Sequence, residues 1–191
     1  MVEAGRAPRA TIEGTTPSMD AADTLHGRRP GTRAGLGRFG RVLVIRLGPG
    51  EDLLPSMERL LLDADFTNGT ILSGVASLRH ASIRNIFRFP EQWPIQADMR
   101  RRTTIPGPLE ILAMQGNVAP KEDGGIFIHC HLEFSLGAPP AVTYGGHLIE
   151  DTIVGTTCEL YIAEIEDLDV RRIHDEQTRT LEISMDPQID R

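Results

Sequence analysis

The segment IFIHCHLEFSLGAPPAVTYGGH, residues Ile126 to His147, carries three of the six histidines of the 191-residue chain within nineteen positions. In an extended strand alternate side chains share a face. Ile126, Ile128, Cys130, Leu132 and Phe134 therefore point one way, and this unbroken apolar set predicts a strand packed on a core. Phe127, His129, His131 and Glu133 point the other way. Tyr144-Gly145-Gly146-His147 then returns a third imidazole after a short Pro/Gly loop, and the paired glycines let that backbone approach closely.

A His-x-His pair joined by a distant third histidine makes a facial nitrogen set for Zn²⁺ or a similar borderline metal. The alternative is that His129 and His131 are polar residues on the solvent face of a strand. Three imidazole ligands leave a fourth position open to water or to an anionic ligand. Glu133, two residues further along the same face, is placed to orient a ligand histidine or to act as general base. Glu159 is an alternative carboxylate or a strand-face residue near a subunit boundary, and Asn117 either hydrogen-bonds a ligand or serves a turn after Gly116. His26 falls in an N-terminal tail and His80 and His174 in turns, none with an evident partner.

The flanking sequence supplies further elements. Arg41 to Leu47 is a β-branched run that suits a buried strand, broken by Gly48-Pro49-Gly50. Glu51 or Asp52 offers an anionic group at a helix start, and Leu53, Leu54, Met57, Leu60 and Leu61 repeat at helical spacing. Pro55 falls in the first turn, where it is tolerated. That helix is expected to end before Asn68-Gly69, with strands following over 70–75 and 81–89. Residues 90–107 read as a long loop holding the only Trp and the run Arg100-Arg101-Arg102, a solvated face or an anion-binding one. Strands resume at 109–114, 126–134 and 154–165, and a final pair at 169–173 and 179–183 is joined by a polar turn. One early helix among many strands predicts an α+β fold with a mostly antiparallel sheet or half-barrel.

No apolar run approaches the roughly 20 residues that cross a bilayer, and the N-terminus lacks a secretory hydrophobic stretch. The expectation is a soluble, cytoplasmic protein. Cys130 and Cys158 sit inside apolar strand patterns, where free buried thiols are the default and a disulfide between them is the alternative. Residues 1–40 read as a disordered Arg/Gly/Pro-rich tail, with the folded domain over 41–186. Charge is uneven: residues 1–41 hold seven Arg against four acids, and the remainder has 13 basic and 23 acidic residues, so +3 and −10 give the net −7. A basic tail is compatible with nucleic-acid contact, whereas an acidic body is a poor footprint for duplex DNA.

Taken in order, several motifs resemble the PPC (plants and prokaryotes conserved) domain. They are Leu47-Gly-Pro-Gly-Glu51, then Gly69 with Ser73-Gly74-Val75-Ala76-Ser77, then Pro108-Leu-Glu-Ile-Leu112 and Gly116-Asn117-Val118-Ala119. His129-Cys130-His131, Gly145-Gly146-His147 and Cys158-Glu159 complete the set, spanning about residues 41 to 166. The resemblance implies a compact α+β fold assembled as a homotrimer, and a metal held by His129, His131 and His147 in some bacterial members. It also implies DNA association, a property that in the plant proteins belongs to an accompanying AT-hook. Gly27-Arg28-Arg29-Pro30-Gly31 is similar to the Arg-Gly-Arg-Pro core of such a hook, but an Arg stands where the hook's central Gly lies.

Three functional readings follow. One is a metal-binding domain with a DNA-associated or regulatory role, in which the tail or Arg100–Arg102 meets phosphates. Another is a metal-dependent enzyme, a hydrolase or lyase, acting on a small anionic metabolite at the three-histidine site. The third is a ligand-sensing or scaffolding module in which the histidines are structural.

Overall fold

The computed structural model describes residues 35–176 and 178–187. The hook-like motif, His26 and most of the Arg-rich tail lie outside those residues. The elements in chain order are β1 (Arg38–Leu47), α1 (Leu53–Asp63), β2 (Gly69–Ile86), a short 3₁₀ turn (Ala97–Met99), β3 (Arg100–Pro120), β4 (Ile126–Leu136), β5 (Thr143–Leu148), β6 (Ile153–Glu166), β7 (Leu168–Asp175) and β8 (Thr180–Pro187). This is the mostly antiparallel α+β architecture, with one α-helix among the described residues.

Six strands form one sheet in the order β1-β6-β2-β3-β4-β5, with every neighbouring pair antiparallel. β2 also pairs with β5 through Ile83–Leu148 and Arg84–His147, so that end of the sheet closes on itself. β7 and β8 form a separate two-stranded hairpin. Alternation along the strands sends Ile45, Leu47, Leu160, Ile162, Leu109, Ile111 and, from β4, Ile126, Ile128, Cys130, Leu132 and Phe134 to one side. There they meet Leu53, Met57 and Leu61 of α1, all fully buried. Each such side chain contributes roughly 1.5–3 kcal/mol on burial. The histidine face of β4 is thereby turned away from this core.

Several expectations are corrected. β2 is one strand across 69–86, with register shifts near Ile71 and Leu78, because β3 and β6 pair with the intervening residues from both sides. The supposed loop over 90–107 ends at Met99, and Arg100-Arg101-Arg102 opens β3 instead, opposite Arg84, Asn85 and Ile86. Pro106 is tolerated there because β4 pairs with β3 only from Leu109 onward, so the first part of β3 is an edge with one neighbour. Gly107 lies so near β2 that a Cβ would stand 2.4 Å from the Arg79 carbonyl oxygen. Ordered strand also begins at Arg38 rather than Arg41.

Asp52 does precede α1, but its side chain makes no cap. Its carboxylate instead accepts hydrogen bonds from the backbone N–H of Asp151 and Thr152, tying the helix start to the turn before β6. His80 lies in β2, not a turn, and its Nε2 is 2.9 Å from Asp151 Oδ1. His174 lies in β7, 3.5 Å from Glu176. Cys130 and Cys158 are free and buried, as expected. No helix among the described residues is long and apolar enough to cross a membrane.

Candidate metal centre

His129 and His131 project from the outer face of β4, two residues apart. β5, a Gly-rich strand that composition alone disfavours, forms because β4 and β2 hold it from both sides. The register then sets His147 directly opposite His131. The three rings form a nearly even triangle, with centroid separations of 5.1, 5.3 and 5.4 Å. One ligand-capable nitrogen from each lies within 4.8 Å of the other two.

Local contacts position these side chains. Asn85 of β2 donates from Nδ2 to the Gly145 carbonyl oxygen at 3.0 Å, while its Oδ1 accepts from the His147 backbone N–H at 3.4 Å. A Cβ on Gly146 would sit 2.4 Å from that Oδ1, so a larger residue there would displace the Asn85 amide. On the other side, Asn117 lies in β3 opposite His129 rather than in a turn. Its Oδ1 accepts a short hydrogen bond from an Nη of Arg172.

Arg172 joins the β7–β8 hairpin to this face. It is 2% exposed, its guanidinium lies 5.0 Å from the centroid of the Phe127 ring, and its other Nη donates to the Leu181 carbonyl oxygen at 3.0 Å. Burial lowers the Arg172 pKa, with Glu182 acting in the opposite sense. The hairpin thus covers part of the histidine face and creates a cleft of about 350 Å³. Its lining includes the three histidines, Arg84 and Arg100 as cations, Glu182 as the carboxylate, and Ile86, Ile95, Phe127 and Leu181 as apolar walls.

The electrostatics favour neutral imidazoles. Burial, reinforced by Arg84 and the neighbouring rings, pushes His147 down to about 4. His129 is lowered by burial first, then by Arg172 and His131, with Glu182 opposing. Neutral imidazole is the ligating form. Three imidazole nitrogens converging from paired strands form a group that could hold a metal ion.

Of the residues singled out from sequence, His129, His131 and His147 are brought together. Glu133 is exposed on the same face, opposite Gly145, and is outside the group of nitrogens and outside the cleft lining. Glu159 is exposed on β6, opposite Arg46 and Val75, and is also outside that group. Sequence reasoning missed Arg84, Arg172 and Glu182, because each reaches the site through strand pairing or hairpin docking rather than through spacing.

A mostly antiparallel sheet that closes on itself through β2 and β5, with three histidines on its outer face, defines an α+β domain built around a candidate metal centre. Residues 35–166 match the Plants and Prokaryotes Conserved (PCC) domain, and the chain belongs to that family. It is 31% identical over 147 residues, 77% of its length, to the bifunctional protein GlmU of a Synechococcus strain. That stretch is 20% of the relative, so the chain spans about a fifth of its length.

Solved structures share the fold. A metal-containing protein of Archaeoglobus fulgidus superposes with a TM-score of 0.63 at 25% identity, covering 79% of this chain and 98% of that one. A plant- and prokaryote-conserved protein of Pyrococcus horikoshii gives 0.64 at 23% identity, covering 78% and 96%. A candidate DNA-binding protein of Bacteroides thetaiotaomicron gives 0.62 at 13% identity, with the same coverages of 78% and 96%.

Proposed function

We propose that this chain is a metal-binding PCC-domain protein with a DNA-associated or regulatory role, in which His129, His131 and His147 hold one Zn²⁺ or another divalent transition metal. The observation that carries the metal reading is the convergence of three ligand nitrogens within 4.8 Å of one another. A bound divalent ion would supply Lewis acidity and positive charge in the cleft that the three histidines line. The chain's own residues do the rest: Asn85 fixes the β5 backbone under His147, and Arg172 seats the hairpin. The metal-containing Archaeoglobus relative supports this reading. Elemental analysis of untagged protein tests it, with about one metal per chain expected in wild type and none in His129→Ala or His147→Ala. Absence of metal from a folded wild type would sink it.

DNA association is supported by the candidate DNA-binding neighbour and by the Arg-rich tail. A steep fall in duplex affinity between low and moderate salt is the signature expected of phosphate contacts. Self-association as a homotrimer in the cytoplasm belongs to the same proposal. It is supported by exposed Val42, Val44, Leu72, Val75, Leu112 and Tyr161. The register sets Val44 against Tyr161, so part of this apolar set forms one patch on the outer face. Tyr161→Lys in wild-type background is expected to convert a trimer into monomer by light scattering.

The second reading, a hydrolase or lyase acting on a small anionic metabolite, is favoured by Arg84 and Arg100 in the histidine cleft. Glu133 remains the candidate general base from the sequence, on the same strand face as His131. Metal-dependent turnover lost in His129→Ala is its test.

A further inference from the structure

Arg84 is the cation of the cleft whose side chain makes no hydrogen bond or ion pair among the described residues. It stands opposite His147 across the β2–β5 pairing and opposite Arg102 across β3. Arg100, in the same lining, is engaged by the Thr178 carbonyl oxygen at 2.7 Å. Arg172 is committed to Asn117 and Leu181. Arg84 is exposed at the edge of this lining, and its partial burial and the nearby Arg100 both lower its pKa, so its charge stands beside a second cation. A guanidinium in that setting with no carboxylate partner is an unfulfilled bidentate donor.

We infer that Arg84 is the anion-holding residue of the histidine cleft, taking the carboxylate or phosphate head of a small organic anion whose apolar body rests on Ile86, Ile95 and Leu181. The inference rests on the metal reading above, since the ion would share the anion's charge with Arg84. The size and walls of the cleft argue for a small molecule rather than a polymer backbone. At about 350 Å³ it lies at the lower end of ordinary small-molecule sites, and its walls are mixed apolar and cationic. Glu182 is the one carboxylate among the described lining residues, and it makes no ion pair with Arg84 there.

The test uses the full chain, loaded with zinc and dialysed, with metal content measured on each sample. Calorimetric titrations with phenyl phosphate, benzoate, inorganic phosphate and neutral phenol separate head-group chemistry from apolar contact. Phenyl phosphate or benzoate is expected to bind at one per chain, whichever binds tighter identifying the head group, and phenol to bind at least tenfold more weakly. Arg84→Met is expected to weaken the anion at least tenfold while keeping zinc and the thermal midpoint, because the Arg84 side chain makes no hydrogen bond or ion pair among the described residues and its loss leaves the three imidazoles in place. Arg84→Lys is expected to restore part of the affinity. Equal anion affinity in wild type and R84M, both with zinc, overturns the role of Arg84 and leaves the metal reading standing. Absence of zinc from the folded wild type overturns the metal reading and this inference with it.

Discussion

A Cβ added to Gly116 would stand 2.0 Å from the carbonyl oxygen of His129. β3 and β4 therefore approach closely at the first metal-ligand candidate, and only a residue without a side chain permits it.

Gly116→Ala forces the two strands apart at His129, with backbone rather than a flexible side chain as the obstacle. A loss of about 2–4 kcal/mol is expected, in the range of severe overpacking and strain. Metal content is expected to fall with it. Urea unfolding together with elemental analysis of the soluble variant checks this; unchanged stability with full metal content would refute the close-approach argument.

Asn85 acts on the third histidine through backbone. Asn85→Ala removes both hydrogen bonds to β5 while leaving every imidazole in place. Metal affinity is expected to drop roughly 10–100-fold, the usual effect of losing a group that orients a ligand. A competition titration against a zinc chelator measures it. Equal affinities in variant and wild type would show that the ladder bonds of β5 suffice to hold His147.

The cysteines give a pH prediction. Burial pushes both Cys130 and Cys158 up to about 12, with the neighbouring Cys158 adding to the effect on Cys130 and Glu159 to that on Cys158. In the unfolded chain a thiol ionises near about 8.5. Between these values the unfolded state binds fewer protons, so stability conferred by the buried thiols is fully present below about pH 8.5 and declines as pH rises toward 12. Every tenfold difference in acid constant between the two states is worth about 1.4 kcal/mol. Denaturant midpoints at neutral and alkaline pH are expected to diverge less in Cys130→Ala than in wild type. Labelling with a thiol reagent at neutral pH is expected to be slow in the native chain and fast once unfolded. Rapid native labelling of Cys130 would contradict its burial.

Much of this molecule is legible in local pattern. The alternation of Ile126 to Phe134 predicts which side chains enter the core, and Ile126, Ile128, Cys130, Leu132 and Phe134 all do. The helical repeat at Leu53, Met57 and Leu61 predicts α1 for the same reason: solvent separates polar from apolar at a period that the backbone geometry sets. His129 and His131 are visible as a pair because two residues is one strand repeat. β5 is not visible, because Tyr-Gly-Gly-His has little intrinsic strand preference, and its pairing with β4 and β2 is what makes it a strand. The opening of β3 is hidden likewise, since Pro106 and Gly107 mark a break unless the segment lies at an edge.

Local sequence periodicity thus determined which face of each strand meets solvent, and so placed two imidazoles on one outer face. Tertiary structure alone decided their company. His147 opposite His131, Arg84 opposite His147, and Arg172 stacked on Phe127 each depend on partners distant in sequence. The physical reason is that facing is a property of the single strand, whereas register and hairpin docking are set by the packing of the whole sheet.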